Sequence, residues 1–154
     1  MDFAYHYTRG QEDFRQAVIT WLAAKLLRAA GRAAGDPLEH GREPGPAGQR
    51  ARDEFRRELG ACGWLAPLDS RELGGGGLSP DQNVVLLEEL NRRGVLFFLE
   101  DAALALRTAL LKWGSEVQRD QLVGPLAAGQ VSVWKQRSVG GHPLDPDAVG
   151  VTAL

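Results

Sequence analysis

The sequence carries one cysteine, Cys62, among 154 residues. A single thiol excludes an internal disulfide framework and any multi-cysteine metal site. Histidine is scarce too. His6, His40 and His142 stand far apart, each in a terminal or loop-like segment. None lies at metal-ligand spacing from cysteine or carboxylate, so a solvent-exposed or structural role is expected for each. No charge dominates: 18 basic residues face 20 acidic ones, for a formal net charge of −2. That balance offers no electrostatic case for nucleic acid or an anionic membrane as partner. The cations are nearly all arginine and are scattered, which reads as a solvated surface. Apolar runs are broken by charge well short of bilayer length, and the N-terminus lacks the basic-then-apolar pattern of a secretory signal. These absences together describe a soluble, cytoplasmic protein.

What is present is a domain-sized chain with 44% hydrophobic residues, enough for one compact core. The apolar positions recur mainly at helical spacing. Phe14, Val18, Trp21, Leu22 and Leu26 form one stripe, which predicts a helix over Gln11–Ala30. Residues 31 to 48 hold five glycines and three prolines and read as a long loop. Ala51, Phe55, Leu59 and Cys62 then predict a helix over Gln49–Ala61. Gly63 is its stop, because glycine accepts the left-handed conformation without steric cost. Trp64 reads as a core anchor.

Ser79-Pro80-Asp81-Gln82 is a strong helix start: N-cap serine, proline at the first position and a glutamine that closes a capping box. The helix is predicted to run to Arg93, buried through Val84, Val85, Leu87 and Leu90, with Gly94 as its end. A fourth helix, Phe98–Trp113, is apolar nearly all round and is therefore expected to be central, with neighbours on several sides. Gly114 ends it. Ser115 and Gln118 make a second capping box, for a short fifth helix over Glu116–Val123 that stops at Gly124-Pro125.

After Gly129 the period changes. Residues 131 to 138 alternate and carry β-branched and aromatic side chains, which predicts a strand, and Ala148–Leu154 is a candidate for a second. One strand or hairpin is marginal alone in water. The predicted fold class is therefore all-α, a bundle of about five helices with a short β strand or hairpin at the C-terminal end.

The glycine run Gly74–Gly77 is the most tempting chemical motif, since amides before a helix can cradle phosphate. It matches neither the dinucleotide fingerprint nor a P-loop, for it lacks a preceding strand, a later glycine and a lysine. A tight turn is the favoured reading. Glu88-Glu89 and Glu100-Asp101 are neighbours in sequence, which point in different directions on a helix. They read as solvated faces rather than a catalytic pair. Serines 79 and 115 are explained by capping, and Cys62 by packing.

Several segments, in order, resemble acyl-CoA dehydrogenases. They include Met1 to Tyr5 with Gln11 to Arg15, Phe55 to Gly60 running into Gly63-Trp64-Leu65-Ala66-Pro67, and Glu72 to Pro80. Leu86 to Leu90, Trp113 to Glu116 with Gln118, and Leu126 to Gly129 complete the series. The match lies in their order and spacing. The resemblance implies an N-terminal helical domain over 1–130, followed over 131–154 by the truncated or diverged start of a middle β-domain. Family members hold FAD between these domains and a C-terminal helical bundle. They remove hydrogens from the α and β carbons of an acyl-CoA thioester, with a glutamate base and the flavin as hydride acceptor.

By that resemblance the base lies outside this chain, so no catalytic residue is assigned here. Val95, Phe98, Ala102 and Leu106 would help wall the acyl pocket, while their apolar character suits plain core packing equally. Gln136 and Ser138 are the positions carried over to the flavin site. Beyond Ser138 the family's signature fails to match, as a frameshift, a truncation or a diverged insertion would produce. The expected function is that of a dehydrogenase domain inactive by itself. The alternative is a non-catalytic module that docks on, or completes, a partner dehydrogenase subunit; a homo-oligomer is also open.

Overall fold

The computed structural model describes residues 7–30, 45–99 and 102–133. They form five α-helices: α1 (Arg9–Ala30), α2 (Pro46–Ala61), α3 (Pro80–Arg92), α4 (Ala102–Trp113) and α5 (Glu116–Ala127). Two single 3-10 turns, Arg71–Leu73 and Leu96–Phe98, lie before α3 and before α4. The all-α expectation holds. Among the described residues there is no strand: 131 to 133, the described start of the predicted one, are irregular, and the rest of it, with the proposed hairpin, lies outside.

Local capping sets most of the helix starts. Ser79 accepts from the Gln82 amide while the Gln82 side chain accepts from the Ser79 amide, and Ser115 and Gln118 repeat the arrangement. A third reciprocal pair, Thr8 and Gln11, opens α1. Each pair satisfies two otherwise orphaned groups of a first helical turn. Helix α2 begins three residues earlier than the stripe predicts. Pro46 sits in its first turn, where a missing N–H costs nothing, and Gly48 is carried inside the helix.

Helix α5 also runs further than predicted, through Pro125 to Ala127. Proline disfavours helical geometry in the residue before it partly through that residue's Cβ. The preceding residue here is Gly124, which has none. The stop is deferred to Gly129, whose φ is +67°.

Two hydrophobic cores result. The larger joins α1, α2, α3 and the Leu96–Phe98 turn through Val18, Leu22, Phe55, Leu59, Trp64, Leu86, Leu90 and Phe98. Aromatic rings run through it: Trp21 and Trp64 centroids lie 4.8 Å apart, and Phe55 and Phe98 lie 5.0 Å apart. Trp64 is the anchor its sequence position predicts. The smaller core, Ala103, Leu110, Val123 and Leu126, joins α4 to α5, with Val131 and Val133 packed against it.

The burial pattern corrects three expectations. Val84 is 48% exposed, and the buried face of α3 is instead Val85, Leu86, Glu89 and Leu90. These positions are spaced one, three and four apart and place Val84 to one side of the stripe. Helix α4 starts at Ala102 rather than Phe98 and is not central. Leu104, Leu106 and Trp113 are exposed at 40%, 37% and 73%. Cys62 is only half-buried.

Candidate functional site

The glycine run is a turn, and its amides are already used. Gly74 N–H donates to Arg71 O, Gly75 to Ser70 O, Gly76 to Ala66 O and Gly77 to Asp69 O, at 2.8 to 3.1 Å. No donor remains there to cradle a phosphate. A Cβ on Gly75 would stand 2.3 Å from the Asp69 carbonyl oxygen, so the turn is closely packed. A Cβ on Gly63 would stand 2.6 Å from the Gly75 and Gly76 backbone, in a residue whose φ is +71°. The glycine loop thus folds onto the end of α2 and forms a rigid platform.

Two buried arginines were not legible as such in the sequence. Arg15 of α1 lies with its side chain 9% exposed against two carboxylates of α3. It donates to Glu88 Oε2 at 2.7 Å and pairs with Glu89 Oε1 at 3.5 Å. Tyr7 covers the guanidinium at 3.9 Å from the ring centroid, and its hydroxyl donates to Glu88 at 2.6 Å. That bond holds the phenol's pKa above its ordinary value. Glu89 is 3% exposed and also faces Arg92 at 3.6 Å. The expectation of solvated faces at Glu88-Glu89 therefore fails at Glu89 and in part at Glu88. These carboxylates hold α1 against α3, because an arginine so buried requires paired charge. The signal that could have revealed this is Arg15 itself, one residue from Phe14 in an otherwise apolar stripe.

Arg107 is the second case. It stands between Ala103 and Leu110 on the buried side of α4, with its side chain 3% exposed. It donates to the Leu73 carbonyl at 2.8 Å and forms an ion pair with Asp69. Burial pushes its pKa down. The scattered arginines are thus not all solvated surface.

An open cleft of about 650 Å³ lies between the platform and α5. Leu73, Gly74, Leu111 and Val123 line it together with the charged Arg71, Glu116, Arg119 and Asp120. The wall charges are mixed and exposed, so the cleft favours no ligand of one sign. Among the described residues no cluster of three histidine, cysteine, aspartate or glutamate side chains suits a metal. Burial pushes the Cys62 thiol above its ordinary pKa, so it is protonated and a poor nucleophile at neutral pH. No helix among the described residues is long and apolar enough to cross a membrane.

The four positions assigned to an acyl wall separate. Val95 and Phe98 are 1% and 2% exposed inside the larger core. Leu106 is on an open flank of α4, and Ala102 is the first residue of that helix. Gln136 and Ser138 lie outside the described residues, as do the three histidines and Glu100-Asp101. The guanidinium nitrogens left without a hydrogen bond, Arg15 Nε and Arg107 Nε, are sealed in packed interiors rather than open to a cleft.

The acyl-CoA dehydrogenase N-terminal domain matches residues 8–130. The chain belongs to the acyl-CoA dehydrogenase family through that domain. Among solved structures it is similar in fold to the ChsE4-ChsE5 complex of Mycobacterium tuberculosis, with a TM-score of 0.58 and 19% identity. That similarity covers 84% of this chain but 30% of the other. The sequence has no match among proteins of curated function.

Proposed function

We propose that this chain serves as the N-terminal helical domain of an acyl-CoA dehydrogenase-type flavoprotein and has no dehydrogenase activity alone. The observation that carries the reading is the family match over residues 8–130. FAD bound in such an enzyme would supply the hydride acceptor for α,β-dehydrogenation of an acyl-CoA thioester, with a glutamate base supplied from outside this domain. On this reading the present chain contributes apolar surface rather than chemistry. Leu106, on α4's open flank, is the proposed contact to the acyl chain, with Ala102, Val95 and Phe98 as the other proposed wall positions. Gln136 and Ser138 are the chain's proposed contacts to the flavin. The cytoplasm is the proposed compartment.

A second reading is supported by the neighbouring structure, which is a complex of two named chains. On that reading the domain docks on a partner dehydrogenase subunit, and flavin is gained only in the complex.

The test is the visible absorption spectrum of the purified chain incubated with FAD, together with dye-linked oxidation of acyl-CoA substrates. The expected result is a colourless, inactive protein. Stoichiometric flavin with dye reduction would overturn the proposal of an inactive domain.

A further inference from the structure

We infer that the α4–α5 hairpin is docked on the α1–α3 body as a separable unit, and that Arg107 is its latch. The hairpin's apolar residues, Ala103, Leu110, Val123 and Leu126, pack mainly on one another, while the aromatic core belongs to the body. Such a unit can open as an element of its own once its seam with the body, where Ala103, Leu104 and Leu126 share a small void with Leu65 and Phe98, is released.

Arg107 supplies what a hydrophobic seam does not, a directional bond. Burying a guanidinium is costly unless it is paired, and a leucine or methionine would fill the same space on α4. The partners Arg107 has are neither in α4 nor in α5. Both are in the segment between α2 and α3: the Asp69 carboxylate and the Leu73 carbonyl. The guanidinium fork spans the two, which a point charge cannot do equally well.

Asp69 is itself fixed by the glycine platform, its carbonyl accepting from Gly77 and its amide donating to Ala66 O. Leu73 also lines the 650 Å³ cleft, as do Leu111 and Val123 of the hairpin. The latch therefore sets the distance between the two walls of that cleft, and with it the position of the α4 flank that carries Leu106. A void of about 10 Å³ beside Arg107, lined by Leu65, Phe98, Leu104 and Leu126, leaves room for no larger group to replace the bond.

Native-state hydrogen exchange on the full chain tests this, comparing the parent with Arg107→Met, Arg107→Lys and Asp69→Asn. In Arg107→Met and Asp69→Asn, amides of α4 and α5 should lose protection by roughly tenfold to hundredfold, the size expected for a charged hydrogen bond. Amides of α1, α2 and α3 should be unchanged. Arg107→Lys should restore part of the loss, since it keeps the Asp69 pair but not the fork. Equal loss of protection in all five helices would overturn the inference, as would unchanged exchange in the hairpin. Should Arg107→Met fail to fold, Asp69→Asn decides the matter, because it leaves the core of α4 intact.

Discussion

The α1–α3 body and the α4–α5 hairpin are built from opposite materials. The body is centred on large rings, with Phe55 and Leu59 at 1% and 0% exposure and two tryptophans in edge contact. The hairpin core is alanine, valine and leucine, none of them fully buried. The body's charged contacts, Arg15 with Glu88 and Glu89, and Lys25 with Glu58, join one body helix to another. Arg107 instead joins the hairpin to the body. The lesson is that a deep aromatic core holds itself together, while a thin aliphatic pair depends on what it is docked against. An apolar sequence such as α4's does not by itself distinguish the two situations. It predicted a central helix, and the structure shows one with an open flank.

The largest effect that would sharpen this contrast is in the cores. Phe55→Ala should lower the unfolding free energy by about 3–5 kcal/mol, and Leu110→Ala by about 2 kcal/mol, the low end for leucine, because a site near the surface can collapse. Chemical denaturation followed by circular dichroism measures both. Equal losses would mean that the hairpin is as deeply built as the body.

The seam comes next. Gly60, the penultimate residue of α2, lies against the Ala128 backbone at the hairpin's exit, and a Cβ there overlaps it. Alanine is the better helix former by about 1 kcal/mol. Overpacking against backbone costs about 1–3 kcal/mol and should win. Gly60→Ala is therefore expected to reduce thermal stability, and an increase in Tm would show that the seam yields.

The smallest effects come from the matched caps. Ser79→Ala in the body and Ser115→Ala in the hairpin each remove the same bond and should each cost about 1 kcal/mol. Their reach should differ. Hydrogen exchange after Ser115→Ala should quicken in α5 and α4 while α1 to α3 keep their rates. The same spread from both variants would contradict a separable hairpin.

Much of the secondary structure was legible because it is decided locally. A serine and a glutamine three residues apart satisfy each other's amides wherever the helix lies, so Ser79-Gln82 and Ser115-Gln118 marked two starts directly. Thr8-Gln11 carried the same signal. Gly63, Gly94 and Gly129 adopt positive φ at chain stops for a reason of covalent geometry, which belongs to the residue itself. The resemblance that pointed to the family rests on this same local grammar of caps, glycines and tryptophans in order.

Burial was decided elsewhere. Val84 and Leu86 are both apolar, and which of them faces the core depends on where α1 crosses α3. Arg15 and Glu88 are 73 residues apart, and Arg107 and Leu73 are 34 apart. No spacing rule in one sequence pairs such residues, because the free energy that buries them exists only once the partner is in place. The sequence by itself thus determined that the chain is helical, the capped starts after Ser79 and Ser115, and the glycine stops at Gly63 and Gly94. Tertiary structure decided which arginines are interior, which flank of α4 is open, and that the chain divides into an aromatic body and a latched hairpin. Caps and turns act over one helical turn, whereas desolvation of charge and packing of apolar faces are properties of the assembled fold.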